Sequence, residues 1–201
     1  MYTAKNEELV ELWTSQRIPV CDILLREGVC RVKRDYVAEK YRGAGPSFRE
    51  AYGFFAEEAA KRLTPAPGEA SPYWLYGTPE LAGNYAGSFL LRLSIPRSQC
   101  VFFDSRKWNR VLNLDFLGDE AACAAFSRKL EEQGLSCGAE AFLKPYYPQL
   151  RQEIRQSWKA LFSDESIPPA YLQAAAWRLE RKWWTNRKEY ERQAGIWDGQ
   201  S

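Results

Sequence analysis

Histidine is missing from this chain of 201 residues. Its absence excludes imidazole general bases, Ser–His and Cys–His nucleophiles, and His-ligated zinc. Cysteine is sparse and scattered. Cys21, Cys30, Cys100, Cys123 and Cys137 form no C-x-x-C pair, and their number is odd. Reduced thiols in a cytoplasmic protein are the expectation, with no disulfide framework and no structural metal. Long apolar runs are also lacking, so no membrane span is expected. The opening MYTAKNEELVEL carries acidic residues and no apolar core, unlike a secretory signal. The formal net charge is only +2, which gives bulk electrostatics no pull toward nucleic acid or a membrane surface. Phosphate loops are absent. There is no G-x-x-x-x-G-K-[ST], and Gly77, Gly83 and Gly87 do not spell G-x-G-x-x-G after a strand, so they read as turn glycines. The adjacent acids Glu57-Glu58, Asp119-Glu120 and Glu131-Glu132 sit on helical patterns, where neighbours point apart, and read as solvated charge.

Aromatic side chains are abundant: 8 Trp, 11 Tyr and 10 Phe. Tryptophan fills cores and also walls sites for flat ligands. The chain is organised around LWTSQRIPVCDILLREG, residues 12–28. Leu12-Trp13-Thr14 reads as a strand, Ile18-Pro19 turns it into a helix, and Gly28 stops that helix. Such element boundaries often carry binding side chains.

Along the chain, residues 1–11 read as a short helix or loose arm, 12–194 as one domain, and 195–201 as a frayed tail. Residues 29–37 read as a weak edge strand or a loop, and 42–47 as a turn-rich loop. Ser47 with Glu50 reads as a capping box opening a helix over 48–63. Its buried face is Phe48, Ala51, Tyr52, Phe55, Ala59 and Leu63. Residues 73–76 read as an aromatic strand and 77–87 as a loop. SFLLRLSI, 88–95, has the alternation of a strand. Asp104-Ser105 can cap a short helix carrying Trp108. A helix over 119–133 ends at Gly134, and another is expected over 149–161. Residues 135–148, with two prolines, read as an irregular insertion. In 171–192 the spacing of Leu172, Ala175, Ala176, Leu179 and Trp183 has a helical period.

These blocks carry a resemblance. Leu12-Trp13-Thr14-x-Gln16 before a helix ending in Gly, then Phe48-Arg49-Glu50-Ala51-Tyr52, Pro72-Tyr73-Trp74-Leu75-Tyr76, Asp104 with Trp108 and Leu112-Asn113, and Leu172-Gln173-Ala174 with Trp177 resemble a bacterial family known only as a domain of unknown function, DUF3841. The resemblance covers about 12–192. It implies a strand over 173–179, against the helical period of the same residues. More distantly, the first block is similar to that of the ADP-ribosyltransferases. That likeness sets Trp13 where one branch has a His and Ala175 where a late Gln-Ala-Glu strand has its catalytic Glu. Ala175 cannot orient a ribose hydroxyl or stabilise a cationic centre. Glu180 and Asp104 are the substitute carboxylates.

The expectation is therefore a single α+β domain. Its sheet is mixed and mostly antiparallel with packed helices, of the ADP-ribosyltransferase type by resemblance. A ligand site would be lined by Trp13, Thr14, Gln16, Tyr52, Trp74, Tyr76 and Gln173. Its aromatics would grip a planar group or nucleotide and its polar residues would orient it. Three functions compete: a catalytically degenerate ligand-binding module, an active NAD-consuming transferase using Glu180 or Asp104, and a nucleic-acid contact protein using Trp177, Trp183, Trp184 and the C-terminal arginines. Glu180, Glu189 and Glu191 dilute the charge of that last face, and tryptophans as core with cations as a solvated face is the favoured reading of it.

Overall fold

The computed structural model describes residues 7–32, 45–163 and 166–196. It is α+β, with one five-stranded antiparallel sheet between two helical layers. Strand β1, Leu9–Arg17, begins before the strand read from the sequence, so Leu9 to Glu11 belong to the sheet. Helix α1, Ile18–Glu27, follows directly and ends at Gly28, whose φ of 77° is left-handed, with its N–H on the Leu24 carbonyl. Strand β2, Val29–Arg31, is short. Helix α2 spans Pro46–Arg62. Its N-cap is Gly45 with Pro46 in the first turn, so Ser47 is not the cap. Glu50 instead ion-pairs with Arg155. Proline's fixed φ starts this helix where a capping box was expected.

Strand β3, Tyr73–Tyr76, runs into a one-turn helix α3, Pro79–Ala82, within the expected loop; the Thr78 hydroxyl accepts from Leu81 N–H. Strand β4 is Ser88–Pro96 and β5 is Val101–Asp104. Helix α4, Ser105–Leu112, is capped by Asp104, as the sequence indicates. Helix α5, Glu120–Glu132, is capped by Asp119. The expected insertion holds a helix α6, Gly138–Leu143. Helix α7, Pro148–Ser157, passes into a 3-10 turn, Trp158–Phe162. The contested C-terminal segment is β-structure: β6, Leu172–Ala176, and β7, Arg178–Glu180. Helix α8, Arg187–Gln193, follows.

The sheet order is β4-β1-β3-β6-β5, and β2 pairs separately with β7. All these pairings are antiparallel, so among the described residues no parallel pair makes the sheet mixed. Strand β6 is buried on both faces, which explains its alanine run and its lack of alternation. One face of the sheet packs on α2, α4 to α7 and the turn at Trp158, through Phe55, Phe103, Trp108, Ile154 and Trp158. The other packs Leu12, Leu75, Leu91, Leu93 and Ala174 against α1, β2, β7 and α8. The outer edge of β4 is closed by the C-terminal segment. Arg92 N–H donates to Asn186 Oδ1 at 2.8 Å and Thr185 N–H donates to the Arg92 carbonyl at 2.9 Å. Open strand edges invite association, and this one is paired off.

Candidate functional site

Strand alternation sorts the sequence-derived site residues onto two faces. Trp13, Tyr76, Gln173 and Phe103 form one row across β1, β3, β6 and β5. Trp74 lies two residues along β3 on that same face, beside Ala175 and Val101 of the neighbouring strands. Helix α2 lies over the row and adds Tyr52, so the structure brings Trp13, Tyr52, Trp74, Tyr76 and Gln173 to one side of the sheet. Thr14 and Gln16 point to the other. There Gln16 Nε2 donates to Thr14 Oγ1 at 2.8 Å, and that hydroxyl donates to the Trp74 carbonyl at 2.9 Å. The ladder between β1 and β3 consists of the one pair Trp13 with Tyr76, and the Thr14 hydroxyl extends the contact beside it. Thr14 therefore ties β1 to β3, and Gln16 bonds the hydroxyl that does so.

The aromatic side chains on the α2 face interlock. The Trp74 and Trp108 rings are stacked 5.3 Å apart, and Tyr52 meets both edge-on, at 5.5 and 5.2 Å. Phe55 tilts on Trp74 at 4.7 Å. Such pairs exceed their area burial by about 0.5–1.5 kcal/mol each. Burial, and then Tyr76 nearby, raise the Tyr52 phenol; burial, and then Tyr85, raise that of Tyr76. Both are neutral hydroxyls at neutral pH. Gln173 Oε1 is buried without a hydrogen-bond partner. A buried amide oxygen in that state is uncommon and leaves an acceptor to be met.

Beside this cluster a cleft of about 280 Å³ opens between α2 and the chain entering β3. Arg49, Tyr52, Gly53 and Ala56 form one wall, and Ser71, Pro72 and Trp74 the other. Gly53 is the informative residue. It sits in the interior of α2, and a Cβ built on it meets nothing within 4 Å. An interior helical glycine costs about 1 kcal/mol relative to alanine. No close neighbour demands it here; its hydrogen leaves the wall open. The sequence reading reached Tyr52 and Trp74 but missed Gly53, Arg49 and Ser71. The available signal was a glycine inside an otherwise clean helical pattern, with no start or stop role.

The substitute carboxylates are engaged elsewhere. Asp104 caps α4, accepting from Arg106 N–H at 2.8 Å and from the Arg106 guanidinium. Those side-chain bonds, against its burial, hold its carboxyl below the ordinary aspartate value. Glu180 lies in the small β2–β7 sheet opposite Val29, with Arg178 and Lys182 each at 2.7 Å. Burial pulls its carboxyl up, but the bonds from Lys182 and Arg178 prevail and keep it below the ordinary value. Neither lines the cleft. The nucleic-acid face also loses its stacking surfaces. Trp177, Trp183 and Trp184 are buried, and the Trp177 indole N–H donates to the Leu63 carbonyl at 2.6 Å. Among the described residues, no three metal-binding side chains cluster, and no helix is long and apolar enough to cross a membrane.

A family model described as a domain of unknown function, DUF3841, matches residues 11–185. No curated protein matches, and no solved structure matches.

Proposed function

The chain belongs to the DUF3841 family, and on that footing we propose that it is a binding module for a small planar ligand, seated in the cleft between α2 and β3. The observation that carries this reading is Gly53, a glycine that weakens its own helix and leaves the cleft open beside the Tyr52 and Trp74 rings. Aromatic walls with few polar groups suit a flat apolar body. A volume of about 280 Å³ suits one ring system and not a whole dinucleotide. NAD is then a candidate only through one of its rings. No carboxylate or thiol lines the cleft among the described residues, so the reading is binding without catalysis. The free thiols support a cytoplasmic setting.

Titration calorimetry tests this with a panel of flat heterocycles, including nicotinamide, adenine and NAD. At least one ring class should bind saturably to the full chain, and Gly53→Leu should abolish the heat while the melt stays cooperative. Failure of every ring to bind at millimolar concentration would overturn the reading. So would unchanged affinity in Gly53→Leu.

A further inference from the structure

We propose that the ligand of this cleft is a flat ring bearing a carboxylate, and that Arg49 reads its charge. The inference rests on the binding reading above and adds the ligand's class. Arg49 precedes Gly53 by four residues, so both lie on one face of α2, with Arg49 a turn nearer the helix start. Among the described lining residues Arg49 alone carries a charge. Its side chain is exposed and has no hydrogen-bond, ion-pair or ring partner among the described residues.

Other arginines show what a structural role looks like in this molecule. Arg62, on the same helix, bonds the Glu58 carboxylate at 3.1 Å and covers the Phe162 ring at 4.3 Å. Arg155 is held between Glu50 and Glu57. Arg106 is held by Asp104 and lies over Tyr171 at 4.1 Å. Among the described residues Arg49 has none of these anchors. Across the cleft from it stands Ser71, whose hydroxyl bonds to no described residue. A ring seated in the cleft against the Tyr52 and Trp74 side chains, above Gly53, would present a carboxylate at the mouth. There the guanidinium offers a planar fork of donors that matches carboxylate geometry. Ser71 offers a further hydroxyl donor. Among the described lining residues no carboxylate competes for the fork. Because Arg49 is exposed, the preference it confers is modest and salt-sensitive.

The test compares acids with their neutral amides on the same rings: benzoate with benzamide, and nicotinate with nicotinamide. Each pair is titrated into the full chain, Arg49→Gln and Arg49→Lys, in low salt and in 0.5 M salt. The acid should bind about threefold to fivefold more tightly than the amide in low salt. Arg49→Gln should erase that preference and leave amide affinity unchanged. Arg49→Lys should keep part of it, since a lysine retains the charge but not the fork. Added salt should weaken the acids and spare the amides. Equal binding of acids and amides overturns the charge inference and leaves the cleft reading standing. A preference that survives Arg49→Gln does the same. No binding of either member of any pair overturns both.

Discussion

Replacing Gly53 with alanine should make this protein more stable and its cleft worse. Gly53 lies inside α2, Pro46–Arg62, with no left-handed φ, and a Cβ there would meet nothing within 4 Å. Alanine therefore removes the glycine's helix-interior cost without a clash. The gain should be about 1 kcal/mol. For a domain of this size that corresponds to a rise of about 2–4 °C in Tm. Calorimetric melting without ligand reads the gain directly, and titration with the bound ring reads the loss, because the new methyl group projects into the cleft. Gly138→Ala is the matched control. A Cβ at Gly138 would stand 2.5 Å from the Leu114 carbonyl oxygen, so that variant should melt lower. A fall in Tm for Gly53→Ala would refute the reasoning, since it would mean the space beside Gly53 is filled. A rise in Tm with undiminished ring affinity would place the ligand elsewhere.

Three further outcomes follow from the same geometry. Trp13→Ala should cost less than the ~3–5 kcal/mol of a buried tryptophan, because Trp13 is half-buried with the Arg92 guanidinium 5.6 Å from its ring, whereas Trp158→Ala should cost the full amount in the same denaturant melt. Asp104→Ala should cost about 1 kcal/mol through the lost cap of α4. Because the native carboxyl titrates below its ordinary value, the charge-dependent part of the advantage over Asp104→Asn should be complete above the ordinary aspartate pKa and vanish as pH falls through the lowered one, which melts between pH 7 and pH 2 would follow. Burial pushes the Cys21 and Cys100 thiols up to about 12, so in peptide mapping after brief iodoacetamide treatment at pH 8 the exposed Cys137 should label well before either.

The parts of the fold legible in the sequence are those whose signal is local. Gly28 ends α1 because only the left-handed region fits there, and Asp104 and Asp119 cap α4 and α5 through bonds within a few residues. The alternation of β4 is plain because an edge strand has one covered face. The helical period of 171–192 misleads for the opposite reason. Strand β6 lies between β3 and β5 and is covered on both faces, so Ala174, Ala175 and Ala176 are all buried and no alternation survives. There the family resemblance was the better guide. Helix α6 was hidden by the two prolines that follow it, Pro145 and Pro148. The edge strand or loop expected over 29–37 resolves at its start into β2 and a bridge from Val32 to Ser71, and residues 33–37 lie outside the described residues. Of the site, the aromatic side chains were legible because they are large and fall at strand and helix positions that face a common layer. Their sorting was not, since Trp13 and Thr14 are neighbours in sequence but point to opposite faces. Arg49 and Gly53 went unread because their meaning depends on empty space beside a helix, which no local pattern encodes.

The most direct measurement is of intermolecular NOEs between the tightest ring of the panel and the full chain. The account expects contacts from the ring protons to the Gly53 α-protons and to the Tyr52 and Trp74 side chains. Saturable binding with NOEs confined to Trp13 or Tyr76, or to residues on the opposite face of the sheet, would contradict it.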